Sequence, residues 1–269
     1  MNRIDATFQM LKAQGKTALM PFITIGDPDL PTSLAIIEQI TEAGADLIEL
    51  GVPYSDPLAD GPVIQRASER ALQHQVRITD VMKVAKQARD RGIETPFILF
   101  SYYNPVLQLG LERFMKLLQE HGIDGMIIPD LPLEEDEEVR SLAEAHHLHF
   151  VPLVAPTSEA RIQQIVARAA GFVYCVSSLG VTGERASFAE TVEDFLLKVR
   201  EASRVPVCVG FGISNRAQVE RFSQICDGVI VGSAIVRKIE EALPLLQNDK
   251  TRQQGLLQIG QFVAQLKGH

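Results

Sequence analysis

Eight short apolar runs, each followed by a stretch whose apolar residues recur at helical spacing, divide this chain from end to end. The runs are Ala18–Thr24, Asp46–Gly51, Pro96–Tyr102, Gly125–Pro129, His149–Val154, Phe172–Val176, Val205–Gly210 and Asp227–Val231. Helical patterns cover Ser33–Ala43, Ile64–Leu72 with Thr79–Arg91, Leu111–His121, Glu134–His146, Ser158–Ala169, Val192–Ala202 and Ala217–Phe222, and two more, Ala234–Leu246 and Arg252–Leu266, follow the last run. Strand then helix, eight times, predicts an α/β fold in which a parallel sheet closes into a (β/α)8 TIM barrel. The open, doubly wound sheet is the competing arrangement. An extra N-terminal helix over residues 2–13, with Ile4, Phe8 and Leu11 on one stripe, is placed to plug one end. No Pro- or Ser-rich linker interrupts the 269 residues, so residues 1–269 are expected to form a single barrel domain.

The remaining composition excludes several functions. Apolar residues make up 46% and charged ones 22%, enough for a large core and too apolar for disorder. The net charge of −8 is spread over many short segments, and no basic patch interleaved with aromatics offers nucleic acid an electrostatic footprint. A phosphate ligand stays possible, because backbone N–H groups bind one without net positive charge. Cys175, Cys208 and Cys226 fall in or beside predicted strands without CxxC spacing, as free thiols in a reducing compartment do. The first residues lack the apolar core of a secretory signal, and nowhere do about 18 apolar residues run together. A cytoplasmic location is the expectation.

In such barrels the chemistry sits on loops that follow the C-terminal ends of the strands. The second strand alternates Leu47, Glu49 and Gly51 on one face with Ile48 and Leu50 on the other, which places a carboxylate on a face that should be dry. Burial costs several kcal/mol unless such a group is paired or protonated, and no basic residue lies on nearby predicted strand interiors. Desolvation would raise the pKa of Glu49 and suit it to proton exchange near neutrality. Eleven residues on, across a loop stiffened by Pro53, Pro57 and Pro62, comes Asp60. Asp60 reads equally as a second acid flanking a ligand or as a cap for the helix that Gly61-Pro62 begins. Asp56 and Asp27 have the look of turn-formers, with contact to a partner as the alternative for a loop aspartate at the mouth.

Two glycine turns open helices after the last two strands: Val209-Gly210-Phe211-Gly212-Ile213-Ser214 and Val231-Gly232-Ser233-Ala234. Glycine lets N–H groups approach an anion, the helix start adds favourable partial charge, and barrels commonly hold phosphate at these positions. Turns made for geometry alone are the alternative. Ser177 to Arg185, rich in Gly, Ser and Thr, reads as a water-excluding lid or as a surface loop. His146-His147-Leu148-His149 lies at a helix-to-strand turn, the wrong end for barrel chemistry, so no metal site is expected. The run Glu134 to Glu138 reads as a solvated helix start. No nucleophile elbow is apparent, and no lysine falls in a predicted strand to form a Schiff base.

The segments Pro21–Pro28, Glu49–Pro62, Gly180–Gly183, Gly210–Ile213 and Gly232–Ala234, spread in order over nearly the whole chain, closely resemble the tryptophan synthase α subunit family. The long acidic-loop motif is the specific part. The resemblance implies retro-aldol cleavage of indole-3-glycerol phosphate to indole and glyceraldehyde 3-phosphate, with no cofactor in this chain. It implies Glu49 as the acid/base and Asp60 as the hydrogen-bond partner of the indole N–H, while the group that takes the glycerol hydroxyl proton is left open. It gives Gly183, Gly212, Gly232 and Ser233 the phosphate, Phe22, Tyr102, Tyr174 and Phe211 the indole pocket, and Gly210 a place in the substrate site. Thr182 would connect the lid to Asp60. The family pairs with a β subunit that carries pyridoxal phosphate, in an α2β2 assembly, and Asp56 at the barrel mouth becomes an interface candidate. A lyase acting without a partner and a non-catalytic allosteric subunit are the alternatives, the second disfavoured by the presence of both acids.

Overall fold

The computed structural model describes residues 1–157, 159–176, 188–210 and 212–268, the side chains of residues 188–191 excepted. Among these residues the strands are β1 (Ala18–Thr24), β2 (Ile48–Gly51), β3 (Phe97–Phe100), β4 (Gly125–Ile127), β5 (His149–Phe150), β6 (Leu153–Val154), β7 (Val173–Val176), β8 (Val207–Gly210) and β9 (Gly228–Val231). All pair in parallel, in the order β5-β4-β3-β2-β1-β9-β8-β7-β6.

Nine segments stand where eight were expected because the fifth run is divided. His149 and Phe150 pair with β4, while Leu153 and Val154 pair with β7. The two residues between them carry the ladder across: the Val151 N–H donates to the Met126 carbonyl at 2.9 Å, and the Pro152 carbonyl accepts from the Tyr174 N–H at 3.0 Å. Pro152 has no N–H to offer, so the strand breaks there. One run thus bonds to a neighbour on each side, and the ring closes through it as a barrel rather than opening as a doubly wound sheet.

The helices are α1 (Arg3–Ala13), α2 (Leu30–Glu42), α3 (Pro62–Gln73), α4 (Ile78–Asp90), α5 (Tyr103–Leu109), α6 (Leu111–Glu120), α7 (Glu137–Ala145), α8 (Glu159–Val166), α9 (Phe188–Ala202), α10 (Arg216–Ser223), α11 (Ser233–Leu246) and α12 (Arg252–Lys267). Only α5 lacks a counterpart in the sequence reading. Its seven residues are too short for a periodic signal, and Pro105 sits in its first turn, where the missing N–H costs nothing.

Strand alternation sorts the core into two layers. Leu47, with Ala18, Met20, Ile98, Ile127 and Phe172, belongs to an inner cluster, whereas Ile48 and Leu50 join the larger cluster that also contains helix side chains. Helix α1 adds Ile4, Phe8 and Leu11 to the inner cluster, with the Phe8 ring 5.7 Å from that of Phe172, so the N-terminal helix does plug the barrel. Asn2 fixes its start by accepting the Ile4 N–H at 2.9 Å and donating to the Asp124 carbonyl at 2.8 Å. The Asp124 carboxylate also takes Arg89, Arg3 and the Phe97 N–H, locking this floor electrostatically. Phe8→Ala is expected to cost about 3 kcal/mol of stability in urea unfolding, the usual penalty for emptying an aromatic site in a packed core. A loss below about 0.5 kcal/mol would show that the plug adds nothing.

Candidate active site

Register places the first site residues. Phe22 of β1 lies beside Glu49 of β2, which lies beside Ile98 of β3. Two residues on, Gly51 stands where a Cβ would fall 2.5 Å from the Phe22 ring, so the absence of a side chain there lets that ring lie across β2. Phe22 meets Phe100 edge to face at 5.6 Å. Glu49 itself is 1% exposed, and its Oε1 has no hydrogen-bond partner among the described residues. Burial alone pushes its carboxyl from 4.5 up to about 8. Among the described residues no basic group contributes to that shift.

Asp60 does not cap the helix. The N-cap of α3 is Gly61, with no side-chain cap bond, and Pro62 supplies the first helical residue. The Asp60 carboxylate instead accepts a hydrogen bond from the Tyr102 hydroxyl, which in turn accepts the Ala59 N–H at 2.9 Å. Burial raises Asp60 to about 6, and the Tyr102 bond works against that rise. Tyr102 is held from its other face by Tyr54, stacked at 4.9 Å. Burial and the Asp60 charge push its own phenol above the ordinary range. The acidic loop is therefore pinned through one tyrosine from β3's following turn.

Tyr174 of β7 reports on both acids. Its phenol is raised well above normal first by burial, then by Glu49, Cys208 and Asp60. The charges of both acids thus bear on this one hydroxyl. Opposite, Gly210 leaves room for Tyr174, because a Cβ at that position would sit 2.6 Å from its ring and hydroxyl.

The glycine turns follow β8 and β9 as expected. Gly212 has φ of 58°, a left-handed value, and a Cβ there would meet nothing within 4 Å. Gly232 is the N-cap of α11 and Ser233 its first residue. A Cβ on Gly232 would lie 3.8 Å from Phe22 of β1 and 3.9 Å from Ile64 of α3, which sets this turn beside the strand next to β2 and the helix that follows Asp60. Phe211, Thr182 and Gly183, with the whole 177–185 segment, lie outside the described residues. Asp56 is exposed at the rim, and Leu58 beside it is 86% exposed.

Two acids differ from the sequence reading. Asp27 is not a mere turn-former: it is 2% exposed and holds Arg70 through both oxygens at 2.7 and 2.9 Å. Asp136 does not belong to a solvated face: it is buried, with Arg168 and Arg140 at 3.7 and 3.9 Å. Tyr54, which sequence reasoning passed over, follows Pro53 in the acidic loop, and that placement was the available signal. The histidine run ends at the start of β5, three strands from β2, with His149 bonded to Asp5 of α1 at 2.9 Å, and no group of three or more metal-type side chains gathers among the described residues.

Carboxyl groups shifted toward neutrality at the C-terminal ends of strands in a closed parallel barrel are characteristic of (β/α)8 acid–base enzymes. A family model described as the tryptophan synthase alpha chain matches residues 8–266. The tryptophan synthase alpha chain of Geobacillus is 49% identical over 251 residues, covering 93% of this chain and 95% of the relative, and that of Bacillus subtilis is 50% identical over 249 residues, covering 93% of each. Among solved structures, the tryptophan synthase alpha chain from Legionella pneumophila superposes with a TM-score of 0.88 at 37% identity, covering 99% of this chain and 96% of that one. The chain belongs to the tryptophan synthase alpha chain family.

Proposed function

We propose that the chain cleaves indole-3-glycerol phosphate to indole and glyceraldehyde 3-phosphate, as one barrel domain working in the cytoplasm on tryptophan biosynthesis. The observation that carries this reading is Glu49, a buried carboxyl at about 8 whose Oε1 has no hydrogen-bond partner among the described residues, with a second acid at about 6 on the loop that follows the same strand. Near neutral pH the first holds its proton and the second is ionised. Glu49 then delivers a proton to indole C3, and the Asp60 carboxylate accepts the ring N–H and stabilises the positive charge that forms there. Carbon–carbon cleavage sends its electron pair into the ring and converts the glycerol carbinol to an aldehyde, releasing the hydroxyl proton. Glu49, now a desolvated carboxylate, is the base placed to take that proton back, which closes the balance without a cofactor in this chain.

Phe22, Tyr102, Tyr174 and Phe211 bound the indole, while backbone N–H groups at Gly210, Gly212, Gly232 and Ser233, joined by Gly183, hold the phosphate. The partner in this reading is a β subunit holding pyridoxal phosphate in an α2β2 assembly. Asp56 and the apolar Leu58 on the rim form the face that meets it.

A steady-state assay for indole, with and without β subunit, tests the whole reading. Strong stimulation by the partner is expected, and Asp56→Ala should weaken that stimulation while leaving the unpartnered rate alone. Indole release that is indifferent to the β subunit would instead identify a free lyase.

A further inference from the structure

Asp27, Arg70, Glu240 and Arg66 form a continuous chain of ion pairs that the proposed reaction does not use. Arg70 on α3 grips Asp27 through Nε and Nη2 at 2.7 and 2.9 Å and gives Nη1 to Glu240 on α11 at 2.9 Å. Arg66, one turn earlier on α3, takes both oxygens of Glu240 at 2.8 and 2.7 Å. The central guanidinium is 22% exposed and Asp27 only 2%, so the chain is shielded where it matters.

The elements it joins are those that carry the site. Helix α3 begins directly after Asp60-Gly61, and α11 begins directly after Gly232. Between the two helices Val63, Ala67 and Val236 pack in one small cluster with Phe22. A displacement of either helix carries its own N-terminal turn with it, because a helix moves as a rigid element. We propose that Arg70 is a positioning residue that sets the spacing between the acid-bearing loop and the glycine turn of α11, with Asp27 fixing its guanidinium and Glu240 carrying the constraint to α11. The proposal rests on the reaction given above. Arginine suits the position: its planar fork grips both oxygens of Asp27 and still gives a third N–H to Glu240, whereas a lysine ammonium, though it has three donors, cannot reproduce that bidentate fork.

The test compares full-length Arg70→Lys and Glu240→Gln with Lys267→Gln, a control that breaks the Lys267–Asp46 ion pair elsewhere in the chain. For each, the thermal midpoint, the affinities for glycerol 3-phosphate and for indole, and KM and kcat for indole-3-glycerol phosphate are measured. Both network variants are expected to weaken glycerol 3-phosphate binding about fivefold and raise KM in parallel, with indole affinity and kcat within about twofold. The control lowers the midpoint without touching ligand affinity. Should Arg70→Lys fail to fold, Glu240→Gln, which leaves the Asp27–Arg70 pair intact, decides alone. Glycerol 3-phosphate affinity unchanged in the network variants, or absent in the parent protein, overturns the proposal. A parent that binds glycerol 3-phosphate but releases no indole defeats the reaction, while the affinity comparison still decides the role of Arg70.

Discussion

Glu49→Gln is expected to lower kcat for indole formation by about 100- to 10,000-fold, the range lost when a general acid–base group is removed. The variant should remain folded and bind glycerol 3-phosphate, because Gln fills the same space and the phosphate turns lie on other strands. Stability should respond to pH as well. Unfolded, the carboxyl ionises near 4.5; folded, it keeps its proton up to about 8. Its contribution to stability is therefore fully present below 4.5 and falls as pH rises through about 8. The Gln variant carries no such slope. In urea titrations the parent should lose stability relative to the variant over that window, by on the order of a few kcal/mol. An active variant, or parallel stability curves, would remove Glu49 from the mechanism.

Asp60→Ala should reduce kcat/KM by about 100-fold while shifting the thermal midpoint little, since Gly61 rather than Asp60 begins α3. A loss of stability without a loss of rate would restore the capping role. With Asp60 at about 6 and Glu49 at about 8, kcat/KM should follow a bell, rising as Asp60 ionises and falling as Glu49 loses its proton. The substrate phosphate also titrates near about 6, so the acid limb needs its own assignment. Tyr102→Phe supplies it: without the hydroxyl that favours the carboxylate, the Asp60 limb moves up, whereas a limb due to substrate stays. A bell that keeps both limbs in place in this variant would deny Asp60 its part.

Much of this was legible in the residues. Glu49 announced itself because a charged side chain on an inward strand face has no cheap explanation, and in the structure it is buried with its Oε1 unpartnered among the described residues. Asp60 was ambiguous for a good reason: Asp-Gly-Pro satisfies the local rules for a helix start, and only the distant Tyr102 hydroxyl, 42 residues further along, decides against a cap. Asp27 was read only in part: it does sit in a turn, its N–H on the Thr24 carbonyl at 3.3 Å, but its ion pair was not visible. Turn chemistry is local and visible, while its partner Arg70 lies on another element and carries no pattern in sequence. The break in the fifth strand could have been anticipated from Pro152, yet the closure of the ring through Val151 and Pro152 depends on neighbours 25 residues back and 22 ahead.

Strand β1 has one neighbour that follows it closely, β2, and another, β9, whose first residue comes 210 positions later (228 − 18). For a chain growing from its N-terminus, Ala18–Pro21 therefore wait for their second partner until Gly228–Val231 have been made. At ordinary rates of synthesis that delay is roughly 10–40 s. Throughout it, one side of β1 is an open edge able to recruit strands from other nascent chains. Ring closure is thus a late event in the life of each molecule. A chain terminated before Val231 should aggregate rather than persist as a smaller barrel.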